Sequence, residues 1–559
     1  MKLFFLFSCG LLSAQFCHAE VFNILKYGAK PDGQTINTSS IQKAIDDCNR
    51  AGGGTVLVPS GIFLSGTIFL KSNVEFHLEK GAVLKGSPNL QDYIQSGIVY
   101  GLIYATDAEN ISITGGGEVN GNAIAFMEAG QLHTFIDYDP KLLRQGDRFM
   151  HNFTGISDGP IKPKPRPDMM ITIKHSSNVR MDGLYLTEAP NWTIRIGECE
   201  DVIITSLMIL NNRLIPNNDG IHCTTSRNVV ISNCDISCGD DGIIVTGFGD
   251  ETGTGGYTEK PGNQSYRFGN KTHEAQHVVV SNCVIASSSA GIRVGYGMNN
   301  IRDVSFDNIL IHDSNRGILV QCRDSNTIEQ LKFSHITIST KLLTGCWWGK
   351  GEPISVSTMP QTGTVKVGKV KRVIFSDITV THAEAGIVFY GMDANSSIDD
   401  VTLENINVHL STGPQTENFG GNFDLQPTNN FSTNLFKHDV PAIFGRYVND
   451  VKMRNVKISW DEKVPEFYTG ALEFESFNNI SIDGFTGRQA KNKGAAIQLT
   501  DGNGIEVFRS AAAKGTDLFL NATRCTDLRF FVNNDLSNSF QKINYSDNNK
   551  FKIEQGNIY

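Results

Sequence analysis

The 559-residue chain has no run of basic residues, and its formal charge of −9 argues against a nucleic-acid partner. Beyond the first 19 residues it has no apolar stretch long enough to span a bilayer, so no membrane span is expected. It also lacks an even set of cysteines. Of eleven, Cys9 and Cys17 lie in the leader described below, and the nine that remain cannot all pair. Cys223, Cys234 and Cys283 sit among valines and isoleucines, where a free thiol behaves as a small apolar group. Cys234 and Cys238 have no partners at zinc-site spacing. No metal or organic cofactor is implied, and a monomer is expected. An acidic total does not exclude an anionic ligand, because the local field of a cleft outweighs net charge.

What is present begins with a leader. Lys2, the apolar run Leu3 to Leu12 and the small-residue end at Cys17-His18-Ala19 predict a signal peptide over 1–19, and hence export to a periplasmic or extracellular space. The rest, 20–559, reads as one repetitive domain: a cap and first coils over 20–70, catalytic coils over 170–400 and C-terminal coils over 400–559. A helix over Ile41 to Asn49, with Asn37-Thr38-Ser39 ahead of it and Gly52-Gly53-Gly54 behind, would close the first coil. Short strands are expected at Thr55–Val58, Ile62–Phe63 and Val74–Leu78. Repeats of about 22 to 29 residues follow, each with two or three short strands and no long helical pattern, which fits a parallel β-helix. Asn233, Asn282 and Asn308 recur at one point of the repeat and would form a ladder. Insertions at 121–167 and 247–276 are candidates for cleft walls. The insertion at 411–440 reads as a polar surface loop.

The chain is organised around Asn217-Asn218-Asp219-Gly220-Ile221-His222 and Gly239-Asp240-Asp241-Gly242-Ile243. Asp240 lies 21 positions after Asp219, near one coil of a solenoid, so Asp219, Asp240 and Asp241 would gather on one wall. Later phrases align with these: Ala290-Gly291-Ile292-Arg293-Val294, Arg316-Gly317-Ile318-Leu319-Val320 and Ala385-Gly386-Ile387-Val388-Phe389. Strand alternation puts the isoleucines in the core and His222, Ile244, Arg293, Leu319 and Val388 in an outward column. An isolated Asp-Gly is an ordinary turn pair. Three acids in stacked phrases are better explained as an acid–base site, where crowding raises at least one pKa.

These residues resemble the family 28 glycoside hydrolases, the polygalacturonase family of pectin-degrading enzymes. The resemblance runs from about Phe22 through Gln321 and more loosely beyond. It includes Val21-Phe22-Asn23, Gly53-Gly54-Thr55-Val56, Arg166-Pro167 and Pro190-Asn191-Trp192-Thr193, with the two acid phrases its most specific part. It implies an all-β, right-handed parallel β-helix and hydrolysis with inversion. Asp240 would be the general acid, and Asp219 and Asp241 would hold and deprotonate the attacking water, the two functions lying roughly 6.5–9.5 Å apart. Two family signatures are missing. Ser289-Ala290-Gly291 stands where Gly-His-Gly is usual, and Leu319 and Gln321 stand where an Arg-x-Lys pair is usual.

The expected substrate is therefore a galacturonic-acid-containing pectic glycan, with exo action or a rhamnogalacturonan as variants of that reading. Two other classes stay open: a calcium-dependent pectate-lyase-like enzyme, and a non-catalytic glycan-binding β-helix. Asn217, His222, Arg293 and Arg316 are the candidate substrate-binding residues, with the two arginines replacing the missing cations on a substrate carboxylate. Trp347 and Trp348 are candidates for a sugar-stacking platform.

Overall fold

The computed structural model describes residues 20–133, 160–249, 274–343, 347–360, 366–425, 435–436, 438–545 and 549–559. The expected leader, most of the 247–276 insertion and the tip of the 121–167 insertion lie outside these residues.

Repeats of two to three dozen residues, rich in Val and Ile, hold too little surface to fold alone. Stacking buries their apolar faces against the coil above and the coil below. The result is a right-handed parallel β-helix. One wall is a 15-stranded sheet running from Ile68–Phe69 to Ser539–Tyr545, and a 26-stranded sheet wraps the remaining sides. Neighbouring coils pair in parallel and in register. Ile194, Ile221, Ile243, Ile292, Ile318 and Ile354 therefore form one buried column, each pairing with the next. Phe306, Phe333 and Phe375 stack as a second column, with ring centroids 5.2 and 4.9 Å apart.

The expected asparagine ladder is present at a corner. Asn233, Asn282 and Asn308 all adopt left-handed backbone (φ 56°, 55° and 52°), a conformation asparagine tolerates better than most residues. Asn282 donates its side-chain amide to Asn233 at 3.3 Å, and Asn308 donates to Asn282 at 2.7 Å. Bending there lets a strand such as Glu274–Ser287 pair with both Arg227–Ser232 and Asp235–Cys238 of the preceding coil.

The N-terminal helix spans Thr38–Arg50 and buries Ile41, Ala44, Ile45 and Cys48 on the open end of the first coil. Asn37 occupies its cap position but makes no side-chain capping bond. Its carboxamide instead accepts from Lys30 N at 2.7 Å and donates to Thr35 O at 2.7 Å, tying the preceding loop. The eight described cysteines of the body are free and buried.

The described part of the third insertion is not surface decoration. Asn422, Phe423, Asp424 and Leu425 are all buried, and Phe423–Asp424 pairs antiparallel with Leu435–Phe436. Phe423 stacks on Phe444 of the 15-stranded wall at 5.7 Å. Its polar composition hid one short apolar anchor.

Candidate active site

The acids sit where each coil turns into the 15-stranded wall. Register places Asp219 directly before Asp241 in one column: Gly220 N donates to Asp241 O at 2.9 Å, and Gly242 N donates to Ala290 O at 2.9 Å. Extended by the same pairing, the column runs Trp192, Asp219, Asp241, Ala290, Arg316, Glu352. The glycines beside it are required by space. A Cβ on Gly220 would stand 2.3 Å from Gly242 O.

Asp240 occupies the bend one residue before Asp241. Its backbone carbonyl accepts from Ser287 Oγ at 2.6 Å, its Oδ1 from Asp241 N at 3.0 Å, and its Oδ2 from Asn217 Nδ2 at 3.2 Å. Asn217 has left-handed backbone (φ 59°) and is itself held, because Arg166 donates to its Oδ1 at 2.9 Å. Arg166 also donates to Pro190 O and Pro216 O, at 2.7 and 2.8 Å. An arginine from the edge of the first insertion thus fixes the asparagine that orients Asp240.

All three carboxyls are 2–3% exposed. Burial first, and then the charge of Asp241, push Asp240 up from 3.8 to about 7, against the pull of Arg293. Asp219 is pushed well above the ordinary carboxylate range by burial and then by Asp240 and Asp241. Its Oδ1 accepts no hydrogen bond within the described residues. Asp241 accepts from Ala290 N at 3.0 Å and pairs with Arg293 Nε at 2.6 Å. Arg293 Nη2 reaches Asp219 Oδ2 at 3.6 Å, and the guanidinium lies 4.1 Å from the centroid of Tyr296. One arginine among three buried carboxyls supports about one full negative charge, which accounts for the two raised values.

Of the sequence candidates, the structure gathers Asp219, Asp240, Asp241, Asn217, His222 and Arg293, and it separates Arg316. Asn217 touches Asp240, so it orients an acid. His222 belongs to the outward column, yet it is fully buried. It stacks on Trp192 at 3.8 Å, meets Thr246 Oγ1 at 3.2 Å through Nε2, and lies 3.6 Å from Asp219 Oδ2 through Nδ1. Burial, with Arg293 and Arg195 nearby, holds its pKa well below 6.5. It is a neutral, buried backing for Asp219. Arg293 faces the acids, and its ion pairs there leave it as their counter-charge.

Arg316 lies apart from the acids. It is fully buried between Glu352 (3.6 Å) and Asp424 (3.5 Å), and it donates to Asp424 O at 2.8 Å. Glu352 in turn accepts from Asp424 N at 2.8 Å, so this cluster pins the third insertion to the wall. Gln321, at the site of a missing family cation, donates to Leu425 O at 2.9 Å of the same segment. Trp347 is buried at 2% exposure, while Trp348 is half-buried. Among the described residues no group of three or more His, Cys, Asp or Glu side chains is arranged to hold a metal ion.

Sequence reasoning missed Arg166 as the support of Asn217, and it missed Arg195 and Lys174 on the same wall. Arg195 stands one coil before His222 in the outward column. Its phrase Thr193-Ile194-Arg195-Ile196 carries no glycine and so did not align with the others.

Fold and site together define a class: a parallel β-helix with a buried carboxyl cluster on one wall, built for acid–base chemistry. The chain belongs to glycosyl hydrolases family 28, whose description matches residues 48–422. It is 29% identical over 313 residues to an exo-poly-alpha-D-galacturonosidase of Dickeya chrysanthemi, an alignment covering half of this chain and half of that relative. Among solved structures, it resembles the family 28 exopolygalacturonase of Yersinia enterocolitica (TM-score 0.55, 18% identity, 84% of this chain and 79% of that one). It also resembles a hyperthermoactive exopolygalacturonase from Thermotoga maritima (TM-score 0.53, 18% identity, 79% and 92%). At these identities the structural likeness speaks for the fold.

Proposed function

We propose that the protein hydrolyses glycosidic bonds in galacturonic-acid-containing pectic glycans, with inversion, from a chain end. The observation that carries this reading is the raised value of Asp240 beside two further buried carboxyls. Asp240, raised to about 7 and oriented by Asn217, holds a proton at neutral pH and donates it to the leaving glycosidic oxygen. Asp241, tied to Arg293, takes a proton from water, and Asp219 Oδ1 offers that water an acceptor. As the sugar ring gains positive character, the negative charge of the acid cluster beside it stabilises the transition state. Water attacks from the face opposite the leaving oxygen, so the new anomeric hydroxyl has the inverted configuration.

Family membership and the Dickeya relative support a galacturonate substrate. That relative's exo activity supports attack at chain ends. Ala290, buried where the family usually carries histidine, favours a rhamnogalacturonan as second reading. Such substrates lie outside the cell, in keeping with export by the expected leader. No described helix is long and apolar enough to cross a membrane.

The test is a panel of homogalacturonan and rhamnogalacturonan oligosaccharides with chromatographic separation of products. Release of single galacturonate units from homogalacturonan is expected. A ladder of larger products would reject exo action, and no hydrolysis of any galacturonate-containing oligosaccharide would reject the reading.

A further inference from the structure

We infer that a groove on the 26-stranded sheet, along the C-terminal coils, is a second glycan-binding site that takes a neutral, hydroxyl-rich polysaccharide chain. It is separate from the acids, which stand at the 15-stranded wall, and it does not depend on the pectic reading above.

Each of these coils turns a corner at one left-handed residue. Asp400, Asp450, Asn479 and Gly504 (φ 54°, 55°, 57° and 75°) stand one above the other there. The strand after each corner sends alternate side chains outward, and Lys452, Ser481 and Glu506 form that row in register. Corner and row are the two sides of a groove of about 560 Å³, within the size range of ligand pockets. With coils about 4.8 Å apart it is roughly 14 Å long, room for a short stretch of a glycan chain. Two departures from the repeat shape its end. Gly504 leaves a gap in the corner column, where a Cβ would stand 2.4 Å from Asn479 Oδ1 and 3.0 Å from Arg529 Nη2. In the next coil Leu528 pairs with Ile505 and Phe530 with Glu506, so Arg529 is an extra, bulged residue aimed over the gap. It donates to Asn479 Oδ1 at 3.1 Å, two coils back, and to Asp527 Oδ2 at 2.6 Å, and it lies 3.7 Å from Glu506. Asn479 donates in turn to Asp450 Oδ1 at 2.9 Å.

The lining selects the ligand. Its amide, guanidinium and carboxylate groups brace one another, and such fixed planar groups suit pairs of sugar hydroxyls. Lys452 is exposed and Ser481 half-buried, so both are open to a chain lying in the groove. Beyond Glu506 the outward row ends in an aromatic pair. Phe530 and Phe508 are half-buried on this outer surface, with ring centroids 5.8 Å apart. They offer an apolar platform for the C–H face of a sugar beside the polar groove. Charge decides the class of glycan. Asp400, Asp450 and Glu506 face Lys452 and Arg529, and Arg529 is already paired with Asp527. A lining with more carboxylates than cations repels a polyuronate and admits a neutral chain. A protein held on a neutral chain of the same polysaccharide matrix meets its cleavable bonds at raised local concentration.

The experiment uses Asp240→Asn protein in native gels cast with soluble galactan, arabinan or polygalacturonate, so that no gel polysaccharide is consumed. Retardation by at least one of the two neutral glycans is expected. Ser481→Trp, which fills the groove, and Arg529→Met, which opens its end, should each weaken that retardation about tenfold or more. Any retardation by polygalacturonate should stay within about twofold in the same variants. Melting curves show whether each is folded, and Lys452→Trp serves as a second filling variant. No retardation by either neutral glycan, or retardation that survives filling the groove, would overturn the site. A filled groove that loses polygalacturonate and keeps the neutral glycan would overturn the ligand class. A protein that binds a neutral glycan here and cleaves no galacturonate linkage would sink the pectic reading and leave this site standing.

Discussion

Replacing Asp240 by asparagine should inactivate the protein and stabilise it at the same time. The amide keeps the size of the side chain and can still accept from Asp241 N, but it carries no proton to give the leaving oxygen. Loss of a positioned general acid lowers kcat by about 10²- to 10⁴-fold. The stability effect follows from the same carboxyl. Its folded value, about 7, lies above the unfolded 3.8, so the folded protein binds the extra proton between those values. That preference is fully present below about pH 4 and is lost as pH rises through 7. At pH 8 the charged, buried Asp240 costs the folded state on the order of 4 kcal/mol, and asparagine removes the cost. Urea unfolding of parent and variant at pH 4 and pH 8 would show it. The variant should gain several kcal/mol at pH 8 and little at pH 4. No gain at pH 8 would mean that Asp240 is not raised, and an active variant would mean that it is not the acid.

Arg293→Met should leave Asp219 and Asp241 without their counter-charge, at about 3–5 kcal/mol of stability by urea unfolding. Because Arg293 draws the Asp240 value down, the fall of kcat/KM on the alkaline side should move to higher pH in any residual activity. A profile unmoved on that side would contradict the coupling. Arg316→Met should also lower stability by about 3–5 kcal/mol, yet affect acidic and carboxyl-reduced substrates alike, since its partners are Glu352 and Asp424. A loss confined to the acidic substrate would return Arg316 to the binding site.

Sequence carried the parts of this protein that repeat. The isoleucine column, the asparagine ladder and the stacking of Asp219 with Asp241 were legible because a solenoid converts sequence period directly into neighbours. What was not legible depended on burial and on contacts between distant segments. Arg316 shares a column with the acids, and its pairing with Glu352 and with Asp424, 108 residues away, shows that it is already neutralised and buried. His222 read as outward, and Trp192 from the coil before covers it. Arg195 was hidden for a simpler reason, since its strand lacks the glycine by which the other phrases were aligned.

If the three acids cut a galacturonate linkage by direct displacement with water, the stereochemistry of the product records it. Proton NMR of the first products from a homogalacturonan oligosaccharide, taken before mutarotation, tests it in one measurement. The newly freed anomeric centre is expected to have the opposite configuration to the bond that was cut. Net retention would contradict it, and an unsaturated product sugar would show that the bond breaks by elimination.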